Sequence, residues 1–261
     1  MAGWDDLTRE CAAWGEAGRT ATWWWRDDDA VAPTPALEEL LRVAHGPIGL
    51  AVIPARLQPD LAPWLGRHPE VAVLQHGYAH RNEASANGRK SEFPDTRDLG
   101  AMEQDLAAGF RTLSAAFGKR FLPVLTPPWN RIGDRAVVIL QSIGFKGLTR
   151  YLPRPAPRAH GVNLVNTHVD VIDWRGRQGP PGGFLGESAC LELFVGHLAA
   201  RRAGTVDSDE PTGLLSHHLV HDPATWRFLE KLRDFLSNQA ATRLLDPAVA
   251  FGEGQSSGSF E

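Results

Sequence analysis

The chain has 261 residues, 43% hydrophobic and 22% charged, enough for one large α/β domain or two small ones around a sizeable core. A formal net charge of −4 provides no basic footprint, which argues against nucleic acid and against anionic membranes as partners. No run approaches the ~20 apolar residues of a membrane span, and Cys11 and Cys190, far apart and outside any CxxC pattern, read as buried free thiols.

Residues 4–17 place Leu7, Cys11 and Trp14 at helical spacing and predict a short amphipathic helix. The opening MAGWDDLTRE has acidic residues and no apolar core, so no secretory signal is expected and a cytoplasmic location is. Residues 20–26, with three tryptophans in a row at 23–25, read as a buried strand that runs into three carboxylates, Asp27, Asp28 and Asp29. A helix follows at 35–45, a strand at 47–54 and a short proline-interrupted helix at 56–67. The next strand is 71–76, followed by a polar loop to about 94 and a long helix over 96–117. Then come a strand at 121–125, a helix at 134–143, a short strand at 145–149 and a loop at 150–160. The remaining elements are a strand at 162–168, a flexible excursion at 176–183, a helix at 187–202 and a strand at 213–219. A helix at 223–238 and a short strand near 242–245 lead to a tail, 252–261, that is expected to be flexible.

Strand and helix alternate without a linker, which predicts parallel strands joined by crossover helices. About seven such units suit a distorted (β/α)7-8 barrel, a single catalytic domain over residues 1–251 with its site at the C-terminal ends of the strands. The chemistry-bearing residues fall at those ends. Asp27–Asp29 follow the first strand, His76 and His80 the third, and Thr126-Pro127-Pro128-Trp129-Asn130 the fourth. His168, Asp170, Asp173 and Trp174 follow the strand at 162–168, and Ser216-His217-His218 closes the strand at 213–219.

Three adjacent carboxylates repel one another unless something positive holds them. His76 and His80, four apart, can share a face and with one aspartate make three ligands of a divalent ion, leaving room for water. Water on such an ion is a nucleophile at neutral pH, a second aspartate beside it can accept its proton, and a histidine opposite can protonate a leaving group. The donor set suits zinc first, with cobalt, nickel or iron compatible.

In this arrangement the chain resembles the polysaccharide deacetylases, carbohydrate esterase family 4, through five short motifs in the family's order over roughly residues 20–220. The resemblance implies Asp28 as general base and Asp29 as metal ligand, with His76 and His80 as the other two ligands. It implies His217 as general acid, preferred by register over His218. Asp170 would orient it, Asp173 being the alternative, and Trp174 would line an acetyl pocket. Trp129 and Asn130 are further expected substrate contacts. The third motif departs: the family's Arg-x-Pro-x-Gly is Thr126-Pro127-Pro128-Trp129-Asn130 here. The family's arginine helps orient the carboxylates; Arg26 and Arg131 are the two candidates to replace it, and the sequence does not choose between them.

The expected function is therefore metal-dependent removal of an acetyl or similar acyl group from an N-acylated, carbohydrate-type substrate, either a small molecule or an oligosaccharide. An amide or cyclic imide hydrolase acting on a non-sugar molecule, and a catalytically impaired binding protein on the same fold, are the alternatives. Non-haem iron oxygenases also use two histidines and a carboxylate, but strand–helix alternation speaks against their antiparallel folds. Trp23–Trp25 are expected in the core, and His45, His68, His160 and His197 are expected to be ordinary satisfied or surface histidines. Oligomeric state is not written in the sequence.

Overall fold

The protein is described from a computed structural model, over residues 2–177 and 180–253, so nearly all of the expected tail lies outside the described residues. Helix α1 (Trp4–Glu16) precedes β1 (Ala21–Ala30), followed by α2 (Pro35–Ala44), β2 (Ile48–Val52), α3 (Leu61–Leu65) and β3 (Val71–His76). After a long loop come α4 (Leu99–Phe117), β4 (Phe121–Thr126), α5 (Asp134–Ile143) and β5 (Gly147–Leu148). Short strands follow: β6 (Arg158–Ala159), β7 (Val162–Leu164), β8 (Val169–Asp170), β9 (Ile172–Asp173) and β10 (Gly183–Phe184). Then come α6 (Glu187–Ala203), β11 (Thr212–Ser216), α7 (Pro223–Ser237), β12 (Thr242–Leu244) and α8 (Pro247–Ala250).

The helices begin where side chains satisfy their free N–H groups. Thr34 Oγ1 accepts from Leu37 N at 3.1 Å, Asp98 from Ala101 N at 2.8 Å and Asp222 from Thr225 N at 2.7 Å. Proline at the first helical position of α2 and α7 presets φ without losing a needed donor. Among the described residues no helix is long and apolar enough to cross a membrane.

The main sheet runs β7-β5-β4-β3-β2-β1-β11-β8, all parallel, with β12 pairing beside the start of β1. Its two ends, β7 and β8, belong to one stretch of chain, residues 162–170. Val165 N donates to Leu148 O at 3.3 Å and Thr167 N to Arg150 O at 2.9 Å, whereas His168 N donates to Gly213 O at 2.7 Å. The hydrogen-bonded circuit thus closes through one interrupted strand. Buried Glu210 accounts for the interruption, accepting from Asn166 N and Arg154 N, each at 2.8 Å. Gly213 permits the close approach, since a Cβ there would lie 2.4 Å from Asn166 O.

The expected alternation holds, with three departures. β1 continues through Asp27–Asp29 instead of ending before them. Two antiparallel pairs, β6 with β7 and β10 with β9, break the all-parallel expectation, because each joins close chain segments without a crossover helix. Helix α8 was not foreseen. It delivers Phe251 to the inside, where it packs with Trp24, Leu74, Val124 and Val165. Trp23 and Trp25 face the other way, into the layer that packs against α1, α2, α6 and α7. All three tryptophans are buried, as are both free cysteines.

Candidate metal centre

Period-two alternation in β1 sorts its residues between two destinations. Trp24, Arg26 and Asp28 share one face, from the floor of the interior up to the open end. Trp25 and Asp27 share the other. Asp27 accepts from Ser216 Oγ at 2.6 Å and from His218 N at 3.0 Å, and lies 2.5 Å from His218 Nδ1. Trp25 Nε1 completes this buried knot by donating to Ser216 Oγ at 2.8 Å. The neighbouring imidazole, His218, is thereby committed to Asp27. Asp29 breaks the alternation: its φ of 75° is left-handed, a conformation aspartate accepts better than most residues.

That twist brings Asp29 Oδ1 to 3.1 Å from His76 Nε2 and 3.4 Å from His80 Nε2. One ligand atom from each of the three lies within 4.8 Å of the others. His76 Nδ1 is 3.0 Å from the Thr126 carbonyl oxygen, an acceptor, so the proton sits on Nδ1 and the Nε2 lone pair faces Asp29. A lone pair opposed to a carboxylate calls for a cation between them, and Asp29 Oδ1 is buried without a hydrogen-bond partner. The three donors fit a divalent ion. Burial alone would raise the Asp29 pKa, but the neighbouring imidazoles of His76, His217 and His80 outweigh it, and it falls far below the carboxylate range. Burial would lower His76, yet Asp28 and Asp29 raise it, while burial and the His76 charge push His80 down.

Asp28 is gripped by Arg26: Nε lies 2.9 Å from Oδ1 and Nη2 3.1 Å from Oδ2. The fully buried guanidinium also donates to Thr149 Oγ1 at 2.8 Å and Asn130 Oδ1 at 2.6 Å. Arg131 instead donates to Lys90 O at 3.0 Å, away from the carboxylates. Of the two arginines left open by the sequence, Arg26 is the one placed on a carboxylate. Thr126 contributes its carbonyl to His76, not its side chain.

His217 stands between two aspartates. Its Nε2 is 3.9 Å from Asp28 Oδ2 and its Nδ1 3.9 Å from Asp170 Oδ1. Asp170 also accepts from Ile172 N at 3.0 Å and Trp174 Nε1 at 2.9 Å, and burial raises its pKa despite the His217 charge. The Trp174 ring, half exposed, meets the His217 ring edge-on at 4.8 Å. Asp173 turns to the exposed Arg177, 3.4 Å away. On the other flank the Trp129 ring lies 4.6 Å from the His80 ring. The expected site residues Asp28, Asp29, His76, His80, Trp129, Asn130, Asp170, Trp174 and His217 therefore all gather at one end of the strands.

One participant was not anticipated. Glu92, buried in the long loop after β3, accepts from Ala79 N at 2.7 Å and Tyr78 N at 3.1 Å. It thus clamps the turn that separates His76 from His80. Gly77, with φ of 55°, leaves the room: a Cβ there would lie 2.0 Å from Glu92 Oε2. The loop's composition gave no signal for this carboxylate.

A second group, His168, His197 and Glu210, is fully buried and equally compact. Its chemistry is different. His168 Nδ1 accepts the Gly213 N–H at 2.9 Å, so its proton is on Nε2, which faces Glu210 Oε2 at 3.4 Å and has no lone pair for a metal. The two rings stack at 3.4 Å and 17°, which rules out two in-plane bonds to one ion. This cluster braces the interrupted strand. His197, expected to be ordinary, is buried with its Nδ1 2.9 Å from Thr212 Oγ1.

No family model matches the chain, and a search of curated proteins gave no match. Solved structures do match in fold. The Bc1960 peptidoglycan N-acetylglucosamine deacetylase superposes with a TM-score of 0.55 at 13% identity, covering 93% of this chain and 97% of that one. A family 4 acetyl xylan esterase from Clostridium thermocellum, in complex with a cobalt ion, gives 0.53 at 13% identity over 88% and 90%. A family 4 carbohydrate esterase from Streptomyces lividans, in complex with acetate, gives 0.52 at 15% identity over 85% and 90%. At these identities the likeness is one of fold, and it agrees with the resemblance carried by the motifs.

Proposed function

We propose that this chain is a metal-dependent hydrolase that removes an acetyl or similar acyl group from an N-acylated, carbohydrate-type compound. The observation that carries the reading is the convergence of Asp29, His76 and His80 on one point, with Asp28 and His217 beside it. The named structures, two of them family 4 esterases and one an N-acetylglucosamine deacetylase, support it.

Asp29, His76 and His80 would hold one divalent ion, zinc in the first instance, which polarises an acyl carbonyl and makes bound water acidic. Asp28, aimed by Arg26, takes the proton from the attacking water. His217 then gives a proton to the departing amine as the carbon–nitrogen bond breaks, and Asp170 steadies the ring in its charged form. Carboxylate and free amine are the products. Trp129, Asn130 and Trp174 are assigned to substrate contact at the edge of the site.

The test is direct. Protein purified without chelator is analysed for metal, then assayed for acetate release from N-acetylated sugars and for opening of cyclic imides. Turnover that disappears with chelator and returns with zinc or cobalt is expected. A wild-type protein that carries no metal and cleaves neither class with any divalent ion overturns the proposal in favour of a binding protein.

A further inference from the structure

The opening beside the metal centre carries charge that the mechanism does not use. Lys90 Nζ lies 5.9 Å above the Trp129 ring, which itself packs on His80. Arg131 follows Asn130 and ties its guanidinium to Lys90 O at 3.0 Å. Arg175 follows Trp174, whose ring meets His217. Burial, and then the charges of Arg89 and Arg175, hold the Arg131 pKa below its ordinary value, so these guanidiniums feel one another.

None of the four cations has a carboxylate partner among the described residues. Some basic groups elsewhere do have a carboxylate partner, Arg97 with Asp105 at 2.5 Å, Arg154 with Asp207 at 2.9 Å and Arg177 with Asp173 at 3.4 Å. A lone exposed lysine or arginine is an ordinary solvated group. Four of one sign, unpaired and seated on the residues that flank a hydrolytic centre, in a chain of net charge −4, form a local field that draws anions to that centre. Guanidinium groups pair with carboxylate or phosphate through two parallel hydrogen bonds, so the rim selects an oxyanion.

We propose that the substrate bears an oxyanion, carboxylate or phosphate, that docks on the rim formed by Arg89, Lys90, Arg131 and Arg175 while its acyl group lies at the metal centre. The inference rests on the N-acyl hydrolase reading above. A neutral N-acetyl sugar fills only half of such a site.

Binding is measured separately from turnover. Calorimetry on zinc-loaded Asp28→Asn protein compares N-acetylglucosamine, its 6-phosphate and N-acetylmuramic acid, the last two separating phosphate from carboxylate. At least one anionic probe is expected to bind about tenfold tighter than the neutral sugar. That preference should fall to near unity in the background carrying Arg131→Gln and Arg175→Gln, and should shrink in about 0.5 M salt. Equal affinities, no binding of any probe, or a preference that survives the double substitution overturns the inference. Acetate release by the zinc-loaded wild type tests the other half. Rim-dependent binding without release sinks the catalytic reading alone, whereas equal release from charged and neutral probes sinks the rim alone.

Discussion

Arg26 holds both carboxylate oxygens of Asp28, two residues along the same strand and on the same face of it. The pair is buried, with Arg26 fully enclosed, so neither group can fall back on water. The strand that bears the carboxylate thus delivers the arginine that holds it. Arg26→Gln is expected to strand Asp28 and cost about 3–5 kcal/mol of stability. Arg26→Lys keeps the charge but not the two-pronged grip; it should fold and lose kcat by about 10- to 100-fold. Denaturant melts and steady-state kinetics on both variants check this. A lysine variant with wild-type kcat would show that the geometry of the grip is idle.

Base and ligands should separate in a paired substitution. Asp28→Asn is expected to retain stoichiometric metal and lose turnover by about 100-fold or more. His80→Ala should lose both, since two ligands remain where three converge. Metal analysis alongside acetate release reads the two effects independently. Equal metal loss in both variants would mean that Asp28 also binds the ion.

Glu92→Ala tests the clamp on the turn. Two backbone N–H groups would lose their acceptor, and the His76–His80 spacing would loosen. We expect metal affinity to fall by about tenfold to a hundredfold, the range seen when groups that orient ligands are removed. Competition with a chromogenic chelator measures it. Unchanged affinity would reduce Glu92 to a loop residue without influence on the site.

The stacked histidines predict an acid-side loss of stability. Burial, then the charges of His168 and Arg201, push His197 down from 6.5 to about 2, and burial lowers His168 as well. The unfolded chain therefore binds more protons than the native one once pH drops below about 6.5. Stability present above that pH is lost progressively toward the folded value. His197→Phe should weaken this slope by up to about one proton, ~1.4 kcal/mol per pH unit. Urea unfolding at several pH values between 7.5 and 4.5 reports it, and an unaltered slope would mean that His197 takes up its proton alike in the folded and unfolded chains.

Much of the site was legible before any coordinates because it depends on strand ends. Period-two alternation, the HxxxH spacing and helix caps are local signals, and they put Asp28, Asp29, His76 and His80 at one end of the sheet, although β1 runs on through Asp27–Asp29 where the strand was expected to stop. Motif register already preferred His217 over His218; the pairing of β11 with β1 adds a physical reason, since it puts Ser216 opposite Asp27 and so hands His218 to that aspartate. Arg26 and Arg131 were indistinguishable as residue types; only the face of β1 decides between them. Glu92 and Phe251 were invisible for a different reason. Each acts through a contact distant in sequence, from a segment with no periodicity of its own. The break within residues 162–170 escaped for the same cause, being imposed by Glu210 from across the fold.

The pairing of β1 also sets the order of events during synthesis. Trp23 sits opposite Thr212 on one side and Leu244 on the other, so the earliest strand waits for the latest ones. Until translation has passed Leu244, the ribosome displays three tryptophans on an unsealed edge. Such long-range closure makes assembly slow and leaves nascent chains sticky, which points to chaperone dependence during production and to better yields at low temperature.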